Sequence, residues 1–412
     1  MNHDYTFDEG VESVNVGSSL SLGYQMGKDH TIQMTGIYSS VAEDTAVILR
    51  DTGKDDADGQ DANQLVDVDE NIRHRERLLA TVQLRGEHLL ESANDSKIDW
   101  LFASTFTRQY DPDTRYFRYE LFLPEIYGIN AAQIENGNGV FPERNWQTVE
   151  DEAHQGAINF KIPFDTWNEE KEGFVKFGPY VESLHRDYDI SRYQYTTNGA
   201  PGNAFFIDGI PGLPGVPPDP LPNEWFDEDY NTVGLDGDGN VGWLLAPGGT
   251  GNIDYEGDQL IHAIYLMGEL PLTQRLAITG GVRLERTEIT TEAAPQGLSD
   301  TDANPATPPV PAIQTYIRQP GTTKFTELTQ PVEVANINLT EEFYHPAVAI
   351  TYEAVDDMYF RAAWSKTTAR PTFRELAPTV TVAVDDNTSF VGNPGLRMSE
   401  SYNYDFRWEW FP

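Results

Sequence analysis

The chain has 412 residues and no cysteine, which excludes a disulfide framework and a thiolate metal site. It carries 28 Lys and Arg against 66 Asp and Glu, a formal net charge of -38. So acidic a surface repels nucleic acid and favours neutral or cationic partners, or solubility in salty water. No apolar run is long enough for a transmembrane helix, and the first residues have neither the basic region nor the apolar core of a signal peptide. Strands that cross a membrane are apolar only at alternate positions, so the first exclusion does not touch them.

Alternation begins early. Leu20, Leu22, Tyr24 and Met26 share a parity against Ser19, Ser21, Gly23 and Gln25, and Gly27–His30 turns the chain into a second run carrying Ile32, Met34 and Tyr38. Two such runs joined by a few turn residues predict a hairpin. Residues 42–70 hold ten acids and two bases and are expected to form a long polar loop. A second hairpin has Leu78, Ala80, Val82 and Leu84 on one arm, Ser92–Ser96 as its turn, and Ile98, Trp100, Phe102 and Phe106 on the other. Three more follow, turning at Asn168–Gly173, Pro271–Gln274 and Ala354–Asp357. Between hairpins lie long loops, expected at 111–152, 195–257, 294–342 and 369–400. The loop at 195–257 has no Lys or Arg, eight prolines and thirteen glycines. About eleven strands, with short turns alternating with long loops, predict an all-β chain: a partial antiparallel transmembrane barrel with short periplasmic turns and long extracellular loops. Soluble sandwiches and propellers also alternate, but they seldom carry strands this long.

The end of the chain is the most patterned. Tyr402, Tyr404, Phe406, Trp408 and Trp410 alternate with Asn403, Asp405, Arg407 and Glu409, a greasy row that suits lipid and a charged row that suits water. The run Lys366-Thr-Thr-Ala-Arg-Pro-Thr-Phe-Arg-Glu-Leu-Ala-Pro378, then Val391-Gly-Asn-Pro-Gly-Leu396, then Asn403-Tyr-Asp-Phe-Arg-Trp-Glu-Trp-Phe411, resembles the barrel region of TonB-dependent outer-membrane receptors. Gly280-Gly-Val-Arg-Leu-Glu285 is a weaker match to the same family.

The resemblance implies a protein of the Gram-negative outer membrane, embedded in its lipid. External loops would capture a scarce solute such as an iron chelate, a cobalamin-like compound or an oligosaccharide. An inner-membrane TonB complex would then supply energy by pulling on a plug domain inside the barrel. Set against that family, residues 1–412 are expected to be part of the barrel domain, with the plug and the C-terminal half of the barrel lying outside them. Two other readings stand beside it: a passive porin-like channel, and a secreted acidic β-rich carbohydrate-active protein.

Charged side chains on the strands would each cost roughly 2–4 kcal/mol at the lipid midplane, so they are expected on the lumen face. Arg85, Glu87, Arg283, Glu285, Arg361, Arg407 and Glu409 are the main candidates, either touching the plug that the resemblance implies or pairing with one another across strands. In the long loop, Trp225, Phe226, Tyr230 and Trp243 are candidates to stack on a ligand, or else to clamp the loop itself. Its acids and lack of bases lean toward a sugar or a cation. Asp236-Gly-Asp-Gly-Asn240 imitates a calcium loop, but Val241 stands where that loop needs Gly and no Glu closes it. The eight His are scattered without metal-ligand spacing, and no nucleophile elbow or phosphate loop occurs. Neither metal, cofactor nor enzymatic activity is therefore expected.

Overall fold

The computed structural model describes residues 5–51, 65–122, 131–134, 143–167, 171–197, 243–247, 253–295, 312–318, 325–331, 336–377, 380–382 and 389–411. The strands are β1 (Tyr5–Met26), β2 (His30–Asp51), β3 (Leu65–Leu90), β4 (Ser96–Phe122), the short β5 (Ala131–Ile134), β6 (Glu143–Phe164) and β7 (Gly173–Thr197). They continue as β8 (Trp243–Pro247), β9 (Ile253–Pro271), β10 (Leu276–Pro295), β11 (Ala312–Arg318), β12 (Phe325–Pro331), β13 (Ile337–Val355) and β14 (Met358–Ala369). A four-residue helix, α1 (Phe373–Leu376), and two short strands, β15 (Val380–Val382) and β16 (Ser389–Val391), precede β17 (Ser399–Trp410).

Eleven strands lie side by side in chain order, β1-β2-β3-β4-β6-β7-β9-β10-β13-β14-β17, with β5 and β8 added to β4 and β7. Every neighbouring pair is antiparallel, and β1 and β17 are the two edges of the open sheet. The predicted short turns at Gly27–His30, Ser92–Ser96, Pro271–Gln274 and Ala354–Asp357 all sit at one end, and Asn168–Glu170 of the fifth lie outside the described residues. Gly27, Asn94, Asp95 and Asp357 take the left-handed conformation there (φ 54–66°), which Gly, Asn and Asp adopt at least cost.

Register turns the alternation of single strands into two continuous faces, because directly paired residues point the same way. From Leu22 the row runs through Met34, Leu84 and Phe102 to Gly156 and Val181. On the other half, Ile264 pairs with Leu284, Leu284 with Tyr344, Trp364 with Tyr404 and Phe360 with Trp408. Many of these side chains are bare: Leu22 is 58% exposed, Ile264 55% and Phe406 73%. So broad an apolar face marks contact with another molecule or with lipid.

The strands are longer than the pattern predicts. The polar loop expected at 42–70 is mostly strand, since β2 runs to Asp51 and β3 begins at Leu65. Likewise β4 and β6 take up both ends of the loop expected at 111–152. At about 3.3 Å per residue, the 27 residues of β4 extend about 90 Å, well over twice what a bilayer core requires. The half near the turns carries the apolar row, and the far halves stand clear of it.

Candidate functional site

On the face opposite the apolar row, in the far halves of the strands, lies a cavity of about 750 Å³. Its walls are built by parity. β3 contributes Arg73, Arg75 and Arg77; β4 contributes Gln109 and Asp111; β6 contributes Asn145, Gln147 and Asp151; β7 contributes Arg186, Tyr188 and Arg192; β9 adds Tyr255. Paired positions explain the convergence: Arg77 lies opposite Gln109, Gln109 opposite Val149, Val149 opposite Tyr188 and Tyr188 opposite Tyr255. Register shifts between Ile72 and Glu76 on β3, and between Asp111 and Thr114 on β4, re-aim the chain at the cavity wall.

Two-pronged ion pairs stiffen it. Arg75 donates to both carboxylate oxygens of Asp111 from Nε (2.8 and 3.0 Å), and again from Nη2 (2.5 Å). Arg186 grips Asp151 at 2.6 and 2.7 Å. Arg73 reaches Glu43 at 3.1 Å. Bidentate pairs of this kind fix geometry as well as charge. The rings of Tyr188 and Tyr255 stack at 4.7 Å between centroids. Burial pushes the Tyr116 phenol up to about 12 and Tyr188 beyond the usual phenol range, so both stay protonated donors.

The chain after β14 closes one side. Phe373, Leu376, Ala377 and Met398 are buried against Tyr188, Ile190, Tyr255, Ile289 and Leu339 on the same inner face. Thr372 and Glu375 cap α1 reciprocally, fixing its start. The Arg186 guanidinium lies over the Phe373 ring at 5.7 Å. Gly257 is the notch that admits this ring, since a Cβ there would come within 2.7 Å of it. Arg370 donates to Glu285, and its Nε donates to Thr287 Oγ1 at 3.2 Å. Arg374 carries the segment's charge to the cavity lining, its guanidinium 4.5 Å from the Phe390 ring. The motif read from sequence as a loop therefore docks inside the sheet. Nothing in its one-dimensional pattern signals that, save the Pro-x-Phe-x-x-Leu spacing that puts two apolar side chains on one turn.

The structure places the predicted charged residues on the face away from the apolar row. Glu285 is buried and meets Arg283 (2.9 Å), His345 (4.0 Å) and Arg370. Glu409 meets Arg361 at 2.8 Å and Arg407 at 2.6 Å. Arg85 and Glu87 lie exposed on the same face. Pairing across and along strands thus accounts for five of the seven residues, and Arg370 is a partner that sequence reasoning did not supply. Lys366 breaks the expected rule. It sits on the apolar side, 4.3 Å from the Tyr344 ring, with its ammonium 2.6 Å from Glu400. A lysine at the upper margin of an apolar band can lay its stem along the band and keep its charge at the edge. Trp225, Phe226 and Tyr230 lie outside the described residues, as do Asp236–Asn240; Trp243 opens β8, which pairs with β7.

A larger recess, about 1050 Å³, opens on the apolar face among Trp100, Phe102, Ile158, Val181, Ile264 and Leu284. Of its polar lining, Arg286 and Glu342 face each other at 3.8 Å, so little is left to orient a polar solute.

An antiparallel wall with a bare apolar band outside and a salt-bridged, partly plugged inner face is the wall of a transmembrane β-barrel, open in this structure. The model of the TonB dependent receptor-like β-barrel family matches residues 83–412, and the chain belongs to that family. Its members are transport receptors of the outer membrane of Gram-negative bacteria. No curated protein sequence matches the chain. Among solved structures it is similar to the ferric yersiniabactin uptake receptor FyuA of Yersinia pestis, at 11% identity and a TM-score of 0.41, over 98% of this chain and 52% of that one. It is also similar to the ferric-catecholate import receptor Fiu of E. coli K12, at 11% identity and a TM-score of 0.45, over 98% and 56%. The siderophore receptor PiuA of Acinetobacter baumannii gives 9% identity and a TM-score of 0.37, over 100% and 55%. The chain thus spans about half the length of these receptors.

Proposed function

We propose that the complete receptor containing this chain imports a scarce solute across the outer membrane with energy delivered through TonB, and that the inner-face cavity is where the solute is first held. In this reading residues 1–412 supply part of the barrel wall, a plug lies against the inner face, and the charged row of Arg283, Glu285, Arg361, Arg407 and Glu409 borders it.

The observation that carries the reading is the cavity itself. It is concave and close to drug-sized, and it has aromatic stacking surface and converging polar groups above the apolar band, where a solute arriving from outside would meet it. The docking of α1 on the same face supports a receptor over an open pore, because it narrows the bore beside the cavity.

The test is uptake. Cells producing the complete receptor should accumulate a solute that cells without it do not, and removal of TonB should abolish the difference. Accumulation that survives loss of TonB would instead make the protein a passive channel.

A further inference from the structure

Building on the proposed capture site, we infer that the solute it holds is an oxyanion, bearing carboxylate or phosphate groups, with Arg77 as the residue that meets the anionic group. Six arginines and two aspartates face the cavity, about a fifth of all 28 Lys and Arg in a chain whose net charge is -38. Such concentration of one sign inside a low-dielectric cleft focuses a positive potential toward the solute.

Most of these arginines already have acids. Arg75 and Arg186 are matched by Asp111 and Asp151, Arg73 by Glu43, and Arg192 by Glu143 at 3.9 Å. Arg77 is different. It lies on the same inner parity as Arg73 and Arg75, is exposed to the cavity, and has no hydrogen bond or ion pair among the described residues. An arginine fork left open on a wall of arginines tied to acids is suited to a planar oxyanion.

Two further groups point the same way in space. Tyr188 is 6% exposed and Asn145 8%; both line the cavity, and among the described residues neither the Tyr188 hydroxyl nor the Asn145 side-chain oxygen has a partner. Buried polar atoms are almost always paired, so these two orphans, with the unpaired Arg73 Nε on the same wall, mark where a guest supplies the partner. A protonated phenol donates to a solute oxygen, and the amide accepts from a solute hydroxyl. A cation would satisfy neither Arg77 nor the local potential. A neutral sugar would serve Tyr188 and Asn145 and leave Arg77 unanswered. The lean toward sugars or cations that the acidic loop suggests is thereby reversed, because the charge that counts comes from strands.

Acidic oligosaccharides and carboxylate chelates of a metal share this chemistry. The experiment uses the complete receptor in detergent, titrated calorimetrically with trigalacturonic acid, ferric citrate, maltotriose and spermidine. The expected result is binding of at least one of the two anions, weakened about tenfold or more by Arg77→Ala, only partly restored by Arg77→Lys, which keeps the charge and loses the fork, and weakened by added salt. Whichever anion binds tells the chelate from the acidic sugar. Binding of maltotriose or spermidine in preference to both anions, or anion binding unchanged by Arg77→Ala, overturns the inference. If maltotriose binds and Tyr188→Phe weakens it, the capture site survives without the anion. If none of the four binds, the inference falls and the capture reading loses its support with it.

Discussion

On β17, Tyr404 is 80% exposed and Phe406 73%, whereas on the opposite face Leu376 and Thr287 have no exposure at all. Thr287 belongs to the same sheet as Tyr404 and Phe406, Leu376 to the helix docked on it, and a single backbone layer separates the two faces. Among the described residues nothing of the chain lies upon the outer face, and its side chains are large and apolar. The inner face is polar, yet it is the one that packs: α1 lies on it, and acids and arginines knit across it. Water would penalise the first arrangement and reward the second only in part; lipid outside and an aqueous bore inside reward both. In this protein the hydrophobic effect between side chains therefore works mainly on the inner face, where Phe373 and Leu376 dock, and not on the face richest in apolar residues.

The largest effect should come from undoing that docking. Phe373→Ala leaves a void at a buried ring, and is expected to cost about 3–5 kcal/mol of local stability, releasing residues 370–398 to protease while the strands persist. Gly257→Ala should do the same from the other side by filling the notch, which limited proteolysis would show as the same cleavage pattern. A smaller effect tests the faces directly. Met34→Arg, on the apolar row, should cost roughly 2–4 kcal/mol, while Thr35→Arg one residue on should stay within about 0.5 kcal/mol. Heat-modifiability of the complete receptor on gels reads both, and equal losses would erase the distinction between the faces.

Smaller again is Asp151→Ala. It strands Arg186 at a site where both side chains are about one-fifth exposed, so about 1–2 kcal/mol is expected in chemical denaturation, below the figure for a fully buried pair. The smallest effect concerns pH. Hydrogen bonds donated to the carboxylates of Asp44 and Asp258 raise the pKa of His74 and His185 above the ordinary histidine value. A raised folded-state pKa gives stability that is fully present below the unfolded pKa and is lost as pH rises through the folded one. Hydrogen exchange in the far halves of β3 and β7, expressed as protection relative to the intrinsic rate at each pH, should therefore show slightly more protection at pH 6 than at pH 8, and the reverse order would contradict these pairings.

The sequence made some of this architecture legible and hid the rest for a physical reason. Leu20 to Met26, Ile98 to Phe106 and Tyr402 to Trp410 announce strands because one side of each meets an apolar medium, so alternation is enforced. Glu43-Asp44, Asp69-Glu70 and Glu150-Asp151-Glu152 are strand too, but both sides of the wall are wet at that height and the contrast vanishes. They therefore read as loops. The cavity was hidden for another reason. Arg73, Asp111, Asn145, Arg186 and Tyr255 come from five strands spread over some 180 residues, and only register brings them together. The inner row near the turns was easier: Asp99, Asn159, Lys176 and Tyr265 link by contacts of 2.6 to 3.6 Å, and each alternates with an apolar neighbour that betrays its side.

The length of β3, β4 and β7 has one more consequence. With about ten residues enough to traverse the hydrocarbon, the remaining fifteen or so of each strand rise as a ladder-bonded parapet, tens of ångströms tall, above the headgroups. In the receptor proposed above, that stiff rampart would stand outside the cell, and reagents confined to the outer medium should reach backbone-braced positions such as His74 and His185.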